Sequence, residues 1–524
     1  MKKTIAIMSA ILVVQVLGII LWACQKDNFY WDEYYTLERA HYVSEKNEND
    51  HYIIDDDRFN YNTWIDAKVV RDTLIVDDKS SVLYDDFFLT LSKLFKTNSY
   101  SVLLNIITYV IAPGKITYWP SVILNIILFI LNQIVLFCLS KNIFHDDFWG
   151  YTVISFYGFS ALCISMTTFV RFYMLATLMT TMFTFLHCLY WNCKEEQFAR
   201  KSLLLVGTLI CLLIGYNNAQ FVIIYAFFFI ISFTVLLWVC KGPKISMYYF
   251  APIAIIGIGF IAKKTNIFNV LANFNEIGNM ANQAGALGWF IGQIYTFRLN
   301  MLPGRMKDIY VIFGEKLFGN VALLCLYFVV IAFGKIIKTD EKSIGKEQFT
   351  IIFPVVFYLA FFTAFGLYGQ IRYISFVFPE VALILMGVLY QLYGSGKNIK
   401  KVVLIFLIAQ VIVVNLSGNI DMLYIGDKDR IDNIKEQSID SIIMTRKSFM
   451  PFAVYQSSLI GDDETQLMVY DDQNTNDIST QLRDKMLILV EDENMDIVNY
   501  LKGKEYSVKN IGNTYYFKVF TAEK

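Results

Sequence analysis

Two adjacent carboxylates, Asp32 and Glu33, stand among five aromatic rings in "FYWDEYYTLERA" (29–40), just after the apolar run that opens the chain. A carboxylate so placed can take a proton from an attacking hydroxyl. Two Arg-Tyr elements come later: Arg171 with Tyr173 in "TTFVRFYML", and Arg372 with Tyr373 in "GQIRYISFVFP". The planar guanidinium fork suits a phosphate, to which it makes paired, charge-assisted hydrogen bonds. Other polar candidates are Asp85 and Asp86 in "VLYDDFFLTLSKLF", Tyr216 to Gln220 with Asn218 in "GYNNAQF", and Arg298 and Arg305. Together they offer a base and a cationic clamp.

The elements that must position these groups are membrane spans. The chain has 524 residues, of which 56% are hydrophobic and 17% charged, and long uncharged runs alternate with short basic patches. That pattern reads as a polytopic α-helical membrane protein. We count about eleven spans, near 4–23, 118–140, 149–166, 171–192, 202–216, 218–239, 247–262, 317–335, 348–367, 373–394 and 401–417. The first run is too long for a signal-peptide core and reads as a retained span. A net charge of −1 gives no field for nucleic acid. The eight cysteines all lie in or beside apolar segments, without CxxC or metal spacing, and read as small apolar residues rather than a disulfide framework. The four histidines are scattered, so neither a metal nor a cofactor is expected.

Lysine placement sets the sidedness. The N-terminus and the loops holding Lys141, Lys194, Lys241, Lys335 to Lys346 and Lys397 to Lys401 share one side, which the positive-inside rule makes cytoplasmic. The loop 24–117 and the tail 418–524 then face out. Residues 82–95 have helical apolar spacing and suit an amphipathic helix on the outer surface. The segment 99–114 would invert every later loop if it crossed, so it belongs in the interface or in a re-entrant pair. The composition shifts near 418, and this divides a transmembrane domain, 1–417, from a small extracytoplasmic α/β domain, 418–524. Within the latter, 441–445, 467–472 and 486–490 read as buried strands.

All the candidate groups thus fall on the outer side of the membrane, where a substrate can keep a lipid tail in the bilayer and a polar head above it. A base and a phosphate clamp there describe glycosyl transfer from a lipid-phosphate sugar. The leaving phosphate needs charge stabilisation more than an acid, and the sugar passes through an oxocarbenium-like state. Plainer readings stand beside each residue. Asp32 and Glu33 can open a solvated loop, the arginines can snorkel at helix ends, Asp85 and Asp86 can be a wet helix face, and "DDD" at 55–57 can be a solvated charge run.

"DEYYTLERA" after the first span resembles the Asp-Glu motif of the glycosyltransferase C superfamily, which includes protein O-mannosyltransferases and lipid A aminoarabinose transferases. "VRFYML" and "IRYISFVFP" are similar to Arg-Tyr elements of its bacterial branch. Where many relatives carry His-Pro-Pro before the surface helix, this chain reads "SSVLYDDFF". The resemblance implies a multi-span bundle with surface helices. It implies Asp32 as catalytic base, with Glu33 supporting it or binding acceptor, and Arg372 on the donor phosphate. Arg171 and Tyr173 would line the cavity, and Tyr373, Asp85, Asp86, Asn218 and Arg305 are further substrate-binding candidates. The donor would be a polyprenyl-phosphate sugar. The acceptor would be a glycopolymer, lipid or protein hydroxyl outside a bacterial plasma membrane. Two other classes compete: a flippase or transporter of a lipid-linked envelope precursor, and a non-catalytic envelope assembly protein acting through its tail.

Overall fold

The structure is a computed structural model that describes residues 2–43, 61–85, 87–96, 98–194, 196–265, 302–336, 346–365, 371–394, 397–445, 450–471, 478, 481–491 and 495–524. Asp86, Arg298 and the 55–57 aspartates lie outside the described residues. The chain forms two compact units.

One unit gathers Met1–Ile19, Asn125–Thr167 and Phe172–Asp421 and is helical. Among the described residues, seven helices are long and apolar enough to cross a membrane: Lys2–Ala23, Trp119–Phe144, Tyr173–Asn192, Phe198–Asn218, Val222–Lys241, Ser375–Tyr393 and Ile399–Ser417. The count rises to nine when each of two bent pairs is taken as one span. This is a polytopic helical membrane protein. Hydrocarbon leaves the backbone no partner but itself, which is why these apolar runs become helices.

Two stretches expected as continuous spans are broken. Residues 149–166 form Asp147–Gly158 and Ala161–Thr168, which meet at 61°. Residues 317–335 lie across a break between Pro303–Leu317 and Val321–Ala332, at 92°; Gly319, at φ +93°, makes that turn. A break frees carbonyls that lipid cannot satisfy. Here glutamine side chains do so. Gln15 and Gln133 donate to the Ile154 carbonyl at 2.8 and 3.1 Å. Gln410 donates to Phe156 at 3.0 Å and to Leu317 at 2.7 Å, so one amide serves both breaks. Glycine at position 158 leaves room for the amides of Gln15 and Gln133, which a Cβ there would force to shift.

The other unit comprises Ile20–Leu124, Thr168–Arg171 and Met422–Lys524. Its sheet has six strands in the order β1-β3-β2-β4-β6-β5. They are β1 Trp64–Asp66, β2 Ser441–Thr445, β3 Gln466–Tyr470, β4 Lys485–Val490, β5 Ser507–Asn513 and β6 Lys518–Glu523. The central β2 runs parallel to β3 and β4, with Ile443 opposite Met468 and Ile488. Strands buried on both faces read as continuous apolar runs, and these three do. Ile443, Met468, Ile488, Ile497, Val498 and Leu501 form the core.

The tail is therefore not separate from the loop 24–117. β1 comes from that loop and pairs antiparallel with β3, Ile65 opposite Leu467. Just before it, Asn62 locks onto the end of β3: its amide donates to the Asp471 carbonyl at 3.0 Å and accepts the Asp471 N–H at 2.9 Å. In the same unit the amphipathic segment starts as a short turn, Val82–Tyr84, followed by the helix Phe87–Lys96. Phe87 and Phe88 are exposed by 72% and 76%. Residues 99–114 hold the helix Ser99–Ile111, which packs on that surface helix and on Trp31–Tyr42.

Candidate active site

Asp32 and Glu33 open the helix Trp31–Tyr42. Tyr30 is its extended N-cap, and Glu33 reaches back to accept the Tyr30 N–H at 2.7 Å, the reciprocal half of a capping box. The other Glu33 oxygen accepts the Val170 N–H at 2.6 Å. Lys26 completes the set with an ion pair at 3.0 Å, and neither side chain has any exposed surface. Lys26 also donates to the Met422 carbonyl at 2.6 Å. Burial pushes the Glu33 carboxyl up from its ordinary range and the Lys26 ammonium down; each partner's charge opposes the shift in the other. The two Glu33 oxygens thus take three donors.

Asp32 differs from its neighbour. It is partly buried, where Glu33 is fully buried. Arg171 donates to the Asp32 carbonyl at 2.9 Å and to the Thr36 hydroxyl at 3.0 Å. The structure thus brings Asp32, Glu33 and Arg171 together within one unit, with Arg171 acting on the backbone that presents Asp32. Lys26, which sequence reasoning passed over, has one visible signal: a lone lysine just past the first apolar run, seven residues before a glutamate. Asp85, elsewhere in this unit, is ion-paired to Lys93 at 2.8 Å.

The helical unit holds the other candidates. Arg372 lies in the turn Ile371–Tyr373, is buried, and stacks its guanidinium 5.1 Å from the Tyr373 ring centre. That turn is fixed by Tyr358, whose hydroxyl donates to the Tyr373 carbonyl at 2.6 Å, and by Ser375, which donates to the Arg372 carbonyl at 2.9 Å. The Tyr373 ring rests 4.7 Å from that of Phe221. Tyr173 is buried against Phe172. Arg305 donates to the Ala364 carbonyl, and Asn218 to Ile214 in its own helix at 2.7 Å. Arg372 and Tyr373 therefore form one group, and Arg305 and Asn218 each have a side-chain bond to a backbone carbonyl.

One carboxyl was invisible to a reading that found the membrane interior nearly free of charge. Glu380, in the span Ser375–Tyr393, is fully buried, 3.1 Å from the Thr184 hydroxyl, which in turn lies 3.1 Å from the Tyr225 hydroxyl. A single acid in a long apolar run barely changes its hydropathy. Among the described residues no three His, Cys, Asp or Glu side chains gather to hold a metal ion.

No protein-family model and no curated protein sequence matches the chain. Among solved structures, ArnT from Cupriavidus metallidurans bound to undecaprenyl phosphate superposes with a TM-score of 0.53 at 9% identity, over 98% of this chain and 97% of that one. The chain shares the fold of that ArnT. The apo form of the same ArnT gives 0.49 at 9% identity, over 97% of each chain. The archaeal oligosaccharyltransferase AglB from Archaeoglobus fulgidus, in complex with an inhibitory peptide and a dolichol-phosphate, gives 0.46 at 10%, over 94% of this chain and 70% of that one. The Asp32 helix and the tail belong to one unit, and the Arg372 turn to the other.

Proposed function

We propose that the chain is an inverting glycosyltransferase that moves a sugar from a polyprenyl-phosphate donor to an acceptor hydroxyl at the outer face of the membrane. Asp32 is the base that takes the acceptor proton. Glu33, clamped by Lys26, Val170 and Tyr30, fixes the helix start on which Asp32 sits. Arg171 holds the Asp32 carbonyl. Arg372, pre-oriented over Tyr373, receives the donor phosphate and stabilises it as it leaves. Tyr173 is a further substrate contact.

The chain crosses about eleven times, with Pro243–Thr265 and Lys346–Phe365 added to the nine crossings above. Its N-terminus is cytoplasmic and the sheet-bearing unit extracytoplasmic, in a bacterial plasma membrane.

The observation that supports this reading is the partly buried Asp32 beside a buried, triply bonded Glu33, on a chain that shares its fold with ArnT over 98% of its length. The test uses purified protein in proteoliposomes and a panel of labelled polyprenyl-phosphate sugars, following release of polyprenyl phosphate. Asp32→Asn should lower turnover about 100-fold or more. Equal turnover in parent and variant sinks the assignment.

A transport reading has Glu380 in its favour, since ionisable groups inside the bilayer mark ion and substrate paths. It requires Glu380→Gln to abolish movement of a lipid-linked precursor between leaflets while Asp32→Asn leaves that movement intact.

A further inference from the structure

The Trp31–Tyr42 helix can present Asp32 usefully only at one rotation about its own axis. Residues 32 and 34 are separated by about 200° around a helix, so whatever grips Tyr34 sets where Asp32 points. Tyr34 is fully buried and lies on the stripe with Leu37 and Glu38. Its hydroxyl donates to the Gln456 side-chain carbonyl at 2.9 Å. Its ring stacks on Tyr455 at 5.7 Å and packs against Phe29 at 5.3 Å. Gln456 is 1% exposed and Tyr455 fully buried. Burial pushes the Tyr34 phenol well above its ordinary value, so it stays a donor at every working pH.

Gln456 and Tyr455 belong to the helix Met450–Ile460, which packs against the Asp32 helix and against β2 and β3. A second strand of contact runs parallel to the first. The Tyr516 hydroxyl donates to the Phe29 carbonyl at 3.2 Å, and Asp427 joins the Asn28 amide to the Tyr515 N–H. The residues leading into the Asp32 helix are thus held by the tail.

We propose that Tyr34 and Gln456 are positioning residues for the reaction: their buried hydrogen bond lets the C-terminal part of the chain set the rotation of the Asp32 helix and so the aim of its carboxylate. This rests on Asp32 being the base. It makes the tail part of the catalytic apparatus. A shift of the Met450–Ile460 helix on its sheet would re-aim Asp32 without touching it.

The test compares the full-length parent in proteoliposomes with Tyr34→Phe, Gln456→Leu, the double variant, and Gln456→Glu, which keeps an acceptor for the phenol. The first readout needs no substrate: the rate at which a carbodiimide modifies Asp32, followed by peptide mass spectrometry. Tyr34→Phe and Gln456→Leu should each change that rate about fivefold, the factor of one lost hydrogen bond. The double variant should add nothing, and Gln456→Glu should restore the parent rate. The second readout is turnover of the donor, where kcat should fall about tenfold or more with KM unchanged, as for a misaligned reacting group. Asp32 labelling that is the same in all five proteins overturns the proposal, as does a double variant equal to the sum of the singles. If labelling responds as expected but Asp32→Asn retains full turnover, the coupling stands and the base assignment falls.

Discussion

Lys26 and Glu33 form an ion pair at 3.0 Å with no exposed surface on either side chain. The pair lies beside the partly buried Asp32. A buried pair loses much of its Coulomb gain to desolvation, so its use is to fix geometry rather than to add stability. The fold spends it on the start of the Asp32 helix.

Removing one partner strands the other charge. Lys26→Met should destabilise the sheet-bearing unit by about 3–5 kcal/mol. Glu33→Gln strands Lys26 in turn, and its single amide oxygen can accept from only one of Tyr30 and Val170, which bond different Glu33 oxygens, so it should cost as much. Thermal unfolding in detergent would check both, each variant melting well before the parent.

Asp32 and Arg372 should fail in different ways. Asp32→Asn removes a proton acceptor needed in the transition state, so kcat should drop with little change in donor KM and no loss of melting temperature. Arg372→Lys keeps the charge but loses the fork and the stacking on Tyr373, so donor KM should rise about tenfold. Steady-state kinetics on the active donor would separate the two. A kcat-only effect for Arg372→Lys would contradict a role in donor binding.

Gln410 caps two broken spans at once. Gln410→Leu would orphan the carbonyls of Phe156 and Leu317 inside the bilayer, at about 1–3 kcal/mol each. Gln410→Glu keeps an oxygen but cannot donate when ionised. Both variants should unfold earlier than the parent, whereas Asn415→Leu, on the exposed side of the same helix, should not.

Two aspartates give the sheet-bearing unit an acid limb. Slight burial raises the Asp77 carboxyl, but hydrogen bonds from Ser80 and Lys79 outweigh it and hold the group below its usual range. The Thr465 hydroxyl, with the Glu464 and Thr465 N–H groups, does the same for Asp462. For a depressed carboxyl, stability is present above the unfolded value of 3.8 and is lost as pH falls through the lower folded value. Asp77→Asn with Asp462→Asn should lower the melting temperature near neutrality, where the ionised carboxylates stabilise the unit, and flatten its further fall in acid.

Hydropathy located the spans well, because an apolar run of that length has no other stable form in lipid. It missed both breaks, since Gln15, Gln133 and Gln410 dilute an apolar window only slightly while reshaping its backbone. The alternation and apolar runs at 441–445 and 486–490 marked strands; three-residue β1 carries no pattern, and its partner lies some four hundred positions away. The Asp-Glu pair stood out in the sequence, but not the difference between the settings of its two members. That depends on Lys26, Val170 and Arg171, which come to the helix from other parts of the chain.

Strand β1 also dictates an order of assembly. Its neighbour β3 and every remaining strand of the sheet lie beyond residue 440. The ribosome must therefore deliver nearly the whole polypeptide before the first strand finds its place. A product truncated among the later spans would carry a complete Asp32 segment with nothing to dock on, leaving an unpaired backbone edge that quality-control proteases can seize.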